Sequence, residues 1–116
     1  MRRIPSTLEG PILIEPSVLG DTRGFFVETF RENLLEDLGV VERWVQDNQS
    51  RSGRGVVRGM HFQRSPGQAK LVRCARGEIL DVVVDIRVGS PTFGHWDAHS
   101  LDDVLGRVLY IPVGFA

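Results

Sequence analysis

The chain of 116 residues contains one cysteine, and this scarcity excludes two kinds of protein. Cys74 has no second thiol with which to form an internal disulfide. One thiol also cannot supply a structural metal site that is built from several thiolates. Cysteine usage of this kind is typical of a reducing compartment, so we expect a cytoplasmic location.

Long apolar runs and an excess of one charge are also lacking. No segment approaches the roughly 20 apolar residues that a membrane-spanning helix needs. The first ten residues carry two arginines without an apolar run after them, unlike a secretory signal. The 14 basic and 15 acidic side chains give a formal charge of −1, so no overall field attracts nucleic acid or an acidic membrane. We therefore expect neither partner, and any anion site must be a local cluster.

Short strands separated by turn residues fill most of the chain, which has the length of one domain. A single helix is predicted over residues 31–38, with Leu34, Leu35 and Leu38 on one face and Gly39 placed to end it. Strands are predicted at 12–15, 25–30, 43–48, 56–62, 70–74, 79–87, 96–101 and 108–112. Many short strands of this kind are typical of a jelly-roll barrel. The predicted fold class is therefore all-β, a cupin-like jelly roll with one short helix.

The last nine residues, Val108 to Ala116, predict a strand that enters a turn where the chain ends. A strand in that position leaves an unpaired apolar edge unless something covers it. We therefore expect an incomplete domain, truncated before its C-terminal strands, or a domain that needs a partner.

The densest group of polar side chains lies within residues 46–70. If residues 56–62 form a strand, alternation places His61 on the face opposite Arg58, and we expect that face to line the barrel. An imidazole there can accept a proton near neutral pH. Lys70 on a neighbouring strand could stabilise negative charge that develops on an oxygen. A base and a fixed cation are the minimum apparatus for removing a proton next to a carbonyl group.

The same residues also admit structural interpretations. An isolated histidine in a β-protein is more often structural than catalytic, and Lys70 alone fits a solvated charge at a sheet edge. His95 and His99 are interpreted as surface or packing residues. A metal site is disfavoured, because the sequence His61-Phe62-Gln63 offers an amide where a cupin metal site needs a second imidazole.

Several stretches in consistent order resemble the dTDP-4-dehydrorhamnose 3,5-epimerases, a family of cupin jelly rolls. The stretches are Gly20–Glu28, Gln46–Asn48, Val57–Gln63, Gln68–Arg73, Asp81–Arg87 and Gly89–Gly94. The resemblance implies that His61 is the base that removes the proton at C3 or C5 of the sugar, both α to the C4 ketone. It also implies that Lys70 supports the enolate oxygen.

The resemblance further implies how the substrate is held. The matching positions are Arg23, Phe26, Glu28, Gln46, Asn48 and Arg58. Arginine suits this role because its planar guanidinium group can grip phosphate oxygens bidentately. The implied substrate is a nucleotide sugar of the dTDP-4-keto-6-deoxyglucose type, and no cofactor or metal is implied. Family members are homodimers that exchange N-terminal strands, so that one subunit contributes to its partner's site.

The chain departs from the family pattern at its C-terminus. Members continue past Gly114-Phe115-Ala116 with a His-Gly-Phe run. They then supply a tyrosine that returns the proton from the opposite face and an aspartate that orients the histidine. Tyr110 lies too early to match that tyrosine and is interpreted as a strand residue. Because inversion requires reprotonation from the other side, we expect that the chain alone stops after proton removal.

Three functions therefore remain open from the sequence. The first is a 3,5-epimerase, or its N-terminal part, in dTDP-rhamnose biosynthesis. The second is a related mono-epimerase or ketoisomerase that acts on a dTDP-4-keto sugar. The third is a non-catalytic cupin fragment that binds a sugar nucleotide.

Overall fold

The computed structural model describes residues 1–116, which form eight short strands and one helix. The helix, α1, spans Glu32–Asp37. The strands are β1 (Arg2–Ile4), β2 (Ile12–Glu15), β3 (Val18–Asp21), β4 (Gly24–Val27), β5 (Lys70–Arg73), β6 (Glu78–Val84), β7 (Trp96–Asp102) and β8 (Val108–Ile111). The single helix, six residues long, is too short to span a membrane. The predicted fold class, all-β with one short helix, is confirmed, although the sheets do not close into a barrel.

The largest sheet has four antiparallel strands in the order β1, β2, β8, β5. Tyr110 of β8 lies opposite Ile12 on one side and Leu71 on the other, and all four residues of β8 are buried. Other strands of the chain therefore cover both edges of this last strand. Both neighbours of β8 come from distant parts of the chain, which the local pattern of the strand cannot reveal.

Each face of this sheet is covered by a different part of the chain. One face packs against α1 and the loop after it, through a cluster formed by Ile12, Ile14, Leu35, Val40, Val108 and Tyr110. The other face packs against the β6–β7 hairpin, through Leu8, Leu13, Val83, Leu101, Leu109, Ile111 and Phe115. Burial of these apolar side chains on both faces is the main force that holds the sheets together.

The helix lies within the predicted range and ends as predicted. Arg31 precedes its first residue, and Leu38 follows its last. Gly39 has a φ of 89°, a left-handed conformation that glycine adopts without a steric penalty, and its N–H donates to the carbonyl of Glu36 at 2.9 Å. Leu35 is the one fully buried helix residue.

The inward face of the β6–β7 hairpin carries acidic as well as apolar residues. Val83 and Asp85 on one face are fully buried, whereas Leu80 on the other face is 69% exposed. Asp85 is tolerated there because Arg87 Nη2 contacts its carboxylate at 2.8 Å and the hydroxyl of Ser90 donates to it at 2.7 Å. The alternation of residues along the strand assigns them to the correct two faces. Hydrophobicity alone would predict that the face with Leu80 is the buried one, and that prediction would be wrong.

Two predicted strands, at residues 43–48 and 56–62, are wrong. Neither range has regular structure, and the side chains of Val45 and Val57 are 80% and 93% exposed. A strand needs a hydrogen-bonding neighbour, and β5, the nearest edge of the sheet, pairs only with β8. Alternating hydrophobicity in these ranges therefore does not produce a strand.

The N-terminal hairpin also differs from its prediction. No strand is predicted between residues 15 and 25, but β3 runs to Asp21 and the turn is confined to Thr22 and Arg23. The following strand, β4, ends at Val27 rather than Phe30. The β3–β4 pair forms a separate two-stranded sheet whose side chains are mostly exposed.

Candidate functional site

Lys70 begins β5 and faces the space between the two main layers. It lies opposite Ile111, and two residues later Val72 lies opposite Leu109. Ile111 and Leu109 belong to the core between the sheets, and Val72 packs against it. Because paired residues in an antiparallel sheet share a face, the side chain of Lys70 starts on the same inner side. Its Nζ donates a hydrogen bond to the backbone carbonyl of His61 at 3.1 Å.

His61 is held near Lys70 through its backbone, not through its imidazole. The surrounding residues, from 56 to 64, are all exposed and have no strand partner. The expected placement of His61 on the inner face of a barrel strand is therefore wrong, since that strand is absent. The two residues expected to form the proton-abstracting pair nevertheless lie side by side. Their catalytic roles remain predictions.

Asp81 and His99 lie on the same inner side, and neither was assigned a functional role from the sequence. They are directly opposite each other in the β6–β7 pair, and His99 is 6% exposed. Burial raises the pKa of Asp81, while the nearby charges of His99 and Lys70 act to lower it. The sequence feature that could have identified Asp81 is its position two residues before Val83. Residues two apart in a strand share a face, and Val83 is buried. His99 proves to be a buried packing residue rather than a surface one.

Asp97, the next inward residue on β7, ties the N-terminal loop to the hairpin. Its Oδ2 accepts hydrogen bonds from Ser6 Oγ at 2.8 Å and from the N–H of Thr7 at 3.0 Å. Burial alone would raise the pKa of Asp97, but these hydrogen bonds and that of the Ala98 N–H lower it to about 2. The same Oδ2 lies 3.6 Å from His99 Nε2, which has no hydrogen-bond partner.

Three predicted substrate residues lie on or just after the β3–β4 hairpin. Arg23 pairs with Asp21 at 2.5 Å, and Glu28 pairs with Arg31 at 2.6 Å. The guanidinium of Arg23 holds the pKa of Asp21 below its ordinary value. Phe26 is 69% exposed and reaches no core cluster. The hairpin therefore presents these side chains to solvent.

The other three predicted substrate residues, Gln46, Asn48 and Arg58, lie in the irregular segment before β5. All three are exposed, and Arg58 Nε donates to Ser52 Oγ at 2.9 Å. The segment also carries exposed arginines at 51, 54 and 64. The six predicted residues do not converge on one enclosed cavity, and their substrate contacts remain predictions.

Tyr110, the single tyrosine of the chain, lies on the other side of the sheet from Lys70. Its hydroxyl forms a short hydrogen bond to Glu42, and its ring meets Trp44 edge-on at 6.4 Å between centroids. Burial and the neighbouring carboxylate of Glu42 raise the pKa of this hydroxyl. Its interpretation as a strand residue is confirmed, and it cannot act as a proton donor beside Lys70.

Comparisons with known proteins agree on one family. The family model of dTDP-4-dehydrorhamnose 3,5-epimerase matches residues 5–116. A dTDP-4-dehydrorhamnose 3,5-epimerase from Methanothermobacter thermautotrophicus is 52% identical over 99% of this chain and 62% of its own length. The crystal structure of dTDP-6-deoxy-D-glucose-3,5-epimerase from Legionella pneumophila, in complex with dTDP-4-keto-L-rhamnose, is similar with a TM-score of 0.95. The two sequences are 47% identical, and the aligned region covers 99% of this chain and 62% of the Legionella chain.

A relative with a narrower activity is nearly as similar. The dTDP-4-dehydrorhamnose 3-epimerase from Streptomyces niveus is 47% identical over 98% of this chain and 56% of its own length. The chain thus spans about three fifths of the length of these two relatives. Because the chain is about equally identical to a 3,5-epimerase and to a 3-epimerase, sequence identity does not decide how many sugar carbons are inverted.

Proposed function

The chain belongs to the dTDP-4-dehydrorhamnose 3,5-epimerase family, and we propose that it is a cofactor-independent isomerase that acts on a dTDP-4-keto-6-deoxy sugar in dTDP-rhamnose biosynthesis. The observation that carries the proposal is the contact of Lys70 with His61 in a chain that matches the family over nearly its whole length. This hydrogen bond, to the backbone carbonyl of His61, supports the proposal that His61 and Lys70 act in one site.

In the proposed reaction, His61 removes the proton from C3 or C5 of the sugar. The electron pair moves onto the C4 oxygen, which becomes an enolate, and the ammonium group of Lys70 stabilises that charge. An ammonium group has three donors, and the carbonyl of His61 accepts only one of them. Two donors thus remain for the enolate oxygen. Return of a proton to the opposite face inverts the centre.

We propose that the exposed arginines bind the diphosphate of the substrate. Arg58 and its neighbours lie in the same segment as His61, and Arg23 lies at the tip of the β3–β4 hairpin. The ion pair of Arg23 with Asp21 is local and exposed, so a diphosphate could displace Asp21 at little cost. The formal charge of −1 means that this local cluster, rather than the whole molecule, must attract the anion.

The β3–β4 hairpin supports a proposed homodimer in which this arm is exchanged. A lone two-stranded hairpin is marginally stable in water. Here Leu19, Phe25 and Phe26 are each about two-thirds exposed. Insertion beside a partner's sheet would bury these side chains and would bring Arg23 to the partner's site. We expect the dimer to be cytoplasmic, as the usage of cysteine predicts.

A second candidate function is inversion at one centre only. The specific observation in its favour is the similarity to the Streptomyces niveus 3-epimerase, whose 47% identity is close to that of the enzymes that act at both centres. The chemistry of His61 and Lys70 would be the same in either case.

Solvent deuterium exchange tests both candidates. The chain is incubated in D2O with dTDP-4-keto-6-deoxyglucose, and C3 and C5 are followed by proton NMR. Incorporation of deuterium at both centres supports a 3,5-epimerase, whereas incorporation at C3 alone supports the mono-epimerase. Exchange reports proton removal by itself, so it is measurable even when the centre is not inverted.

Two variants make the exchange test specific. We expect His61→Asn to abolish exchange, and His95→Asn, which changes another exposed histidine, to leave it unchanged. Binding of dTDP by calorimetry is measured in parallel. A folded chain that binds dTDP but exchanges neither proton would overturn the enzyme proposal in favour of a non-catalytic sugar-nucleotide-binding protein.

A further inference from the structure

The inner face of β6 presents a carboxylate that the proposed reaction does not use. Asp81 is two residues from Val83, which is fully buried in the core between the sheets. It is partly buried itself and makes no hydrogen bond through its side chain, unlike Asp85 further along the same face. Buried polar groups that support a fold are normally hydrogen-bonded. The inward position of Asp81 therefore has to be explained by something other than structural support.

Lys70 and Asp81 lie on the inner sides of the two sheets, facing the same core from opposite layers. Lys70 lies on the side of its sheet that packs against Val83 and Leu101, and Asp81 lies on the side of its hairpin that packs against Leu109. Burial raises the pKa of the Asp81 carboxyl group, and the charges of His99 and Lys70 act in the opposite direction. His99, directly opposite Asp81, lies on the same inner side.

The fold gains no stability from this carboxylate. Burial raises the pKa of Asp81 above its ordinary value, and the charges of His99 and Lys70 only partly offset burial. An acid whose pKa is raised in the folded state lowers stability when it is ionised at neutral pH. A residue that weakens the fold in a functional location is a candidate for a role in chemistry.

We propose that Asp81 is a positioning residue, whose carboxylate holds the ammonium group of Lys70 on the inner face of the sheet beside His61. Lys70 has a long flexible stem, and the single hydrogen bond to the carbonyl of His61 does not fix it. Attraction from Asp81 supplies a second restraint from the opposite layer. The consequence for catalysis rests on the proposed function, whereas the restraint on Lys70 does not.

The restraint is directly measurable because Lys70 is the only lysine in the chain. Protein labelled with carbon-13 at lysine Cε gives one side-chain signal, whose relaxation reports how ordered the stem is. We expect Asp81→Asn to lower this order and to remove the nuclear Overhauser effect between Lys70 Hε and His61 Hα. The matched control is Glu78→Gln, which changes an exposed acid on the outer face of the same strand. Unchanged order of Lys70 in Asp81→Asn would overturn the proposal.

The catalytic consequence is tested by deuterium exchange at saturating substrate. We expect Asp81→Asn to lower the maximal exchange rate roughly ten- to a hundredfold, with the half-saturating substrate concentration unchanged and Asp81→Glu partly restoring the rate. Its thermal midpoint should equal or exceed that of the parent chain. A parallel loss of thermal midpoint, rate and affinity would instead assign Asp81 a structural role and refute positioning. If the parent chain exchanges nothing, the proposed function fails, while the relaxation measurement still decides the restraint on Lys70.

Discussion

The packed sheets and the segments that carry the predicted substrate residues are held in different ways. In the packed sheets, Leu109 and Leu101 are fully buried, and the strands that bear them are joined by backbone ladders. The β3–β4 hairpin and residues 41–69 are mostly exposed, and Val57 is 93% exposed. The ion pairs of the two regions differ in the same way. Asp85, which pairs with Arg87, is fully buried, whereas both Asp21 and Arg23 are exposed.

This difference separates what the chain stabilises by itself from what a ligand or partner has to order. Burial of apolar side chains gives the packed sheets one arrangement. The exposed segments bury much less apolar surface, so a substrate or a second subunit can set their final positions. Lys70 joins the two regions on the inner side of the sheet, because it begins a core strand and donates to the carbonyl of His61.

The largest effect on stability is expected from Leu109→Ala in the centre of the four-stranded sheet. Leu109 is fully buried and packs between the two layers. Loss of its side chain leaves a cavity, so the free energy of unfolding should fall by about 2–5 kcal/mol. Urea unfolding followed by circular dichroism measures the change.

The matched control for this variant is Val57→Ala, in the exposed segment. Its free energy of unfolding should change by no more than about 0.5 kcal/mol. Equal effects of the two substitutions would mean that residue 57 is packed in solution, and the contrast between the two regions would then be wrong.

A smaller but still clear effect is expected from Asp85→Asn. The guanidinium of Arg87 holds the pKa of Asp85 far below its ordinary value, against the effect of burial, with help from the hydroxyls of Ser90 and Thr92. Loss of the charge should lower the free energy of unfolding by about 1.5–3 kcal/mol, the range for hydrogen bonds to a charged group.

The pH dependence of the same variant checks the cause. A carboxyl group with a lowered pKa in the folded state contributes stability above its ordinary value of 3.8 and loses it as the pH falls further. The difference in stability between the parent chain and Asp85→Asn should therefore shrink progressively below about pH 4. A difference that stays constant from pH 7 to pH 2 would show that shape, rather than charge, matters at this residue.

The sequence predicted the packed sheets better than the exposed segments, and for a physical reason. The strand at 12–15 is exact, and those at 70–74, 96–101 and 108–112 differ from the structure by one residue. In these strands the hydrophobic pattern reflects burial against another layer. At 43–48 and 56–62 a comparable pattern has no partner strand, and a single strand's pattern contains no information about its partner.

The candidate site was predictable in composition but not in geometry. Resemblance to the family singled out His61 and Lys70, and the structure brings them together through a backbone carbonyl that no side-chain pattern encodes. Asp81 was visible in the alternation of β6 but was not assigned a role, because the acidic face of that strand would ordinarily be assigned to solvent. Only the opposing layer, from a remote part of the chain, shows that this face is turned inward.

The smallest effect on stability, together with a large effect on binding, is expected from Arg23→Ala. The side chain of Arg23 is 88% exposed, and its pair with Asp21 is solvent-accessible, so the urea midpoint should not change. If this arginine grips the diphosphate, affinity for dTDP measured by calorimetry should fall about tenfold, because a charge-assisted hydrogen bond is lost.

Arg76→Ala, at another exposed arginine in a turn, should change neither quantity. A binding loss in Arg23→Ala without a stability loss would show that the exposed hairpin contributes to ligand binding and not to the fold. Equal affinity in the two variants would remove Arg23 from the predicted substrate set.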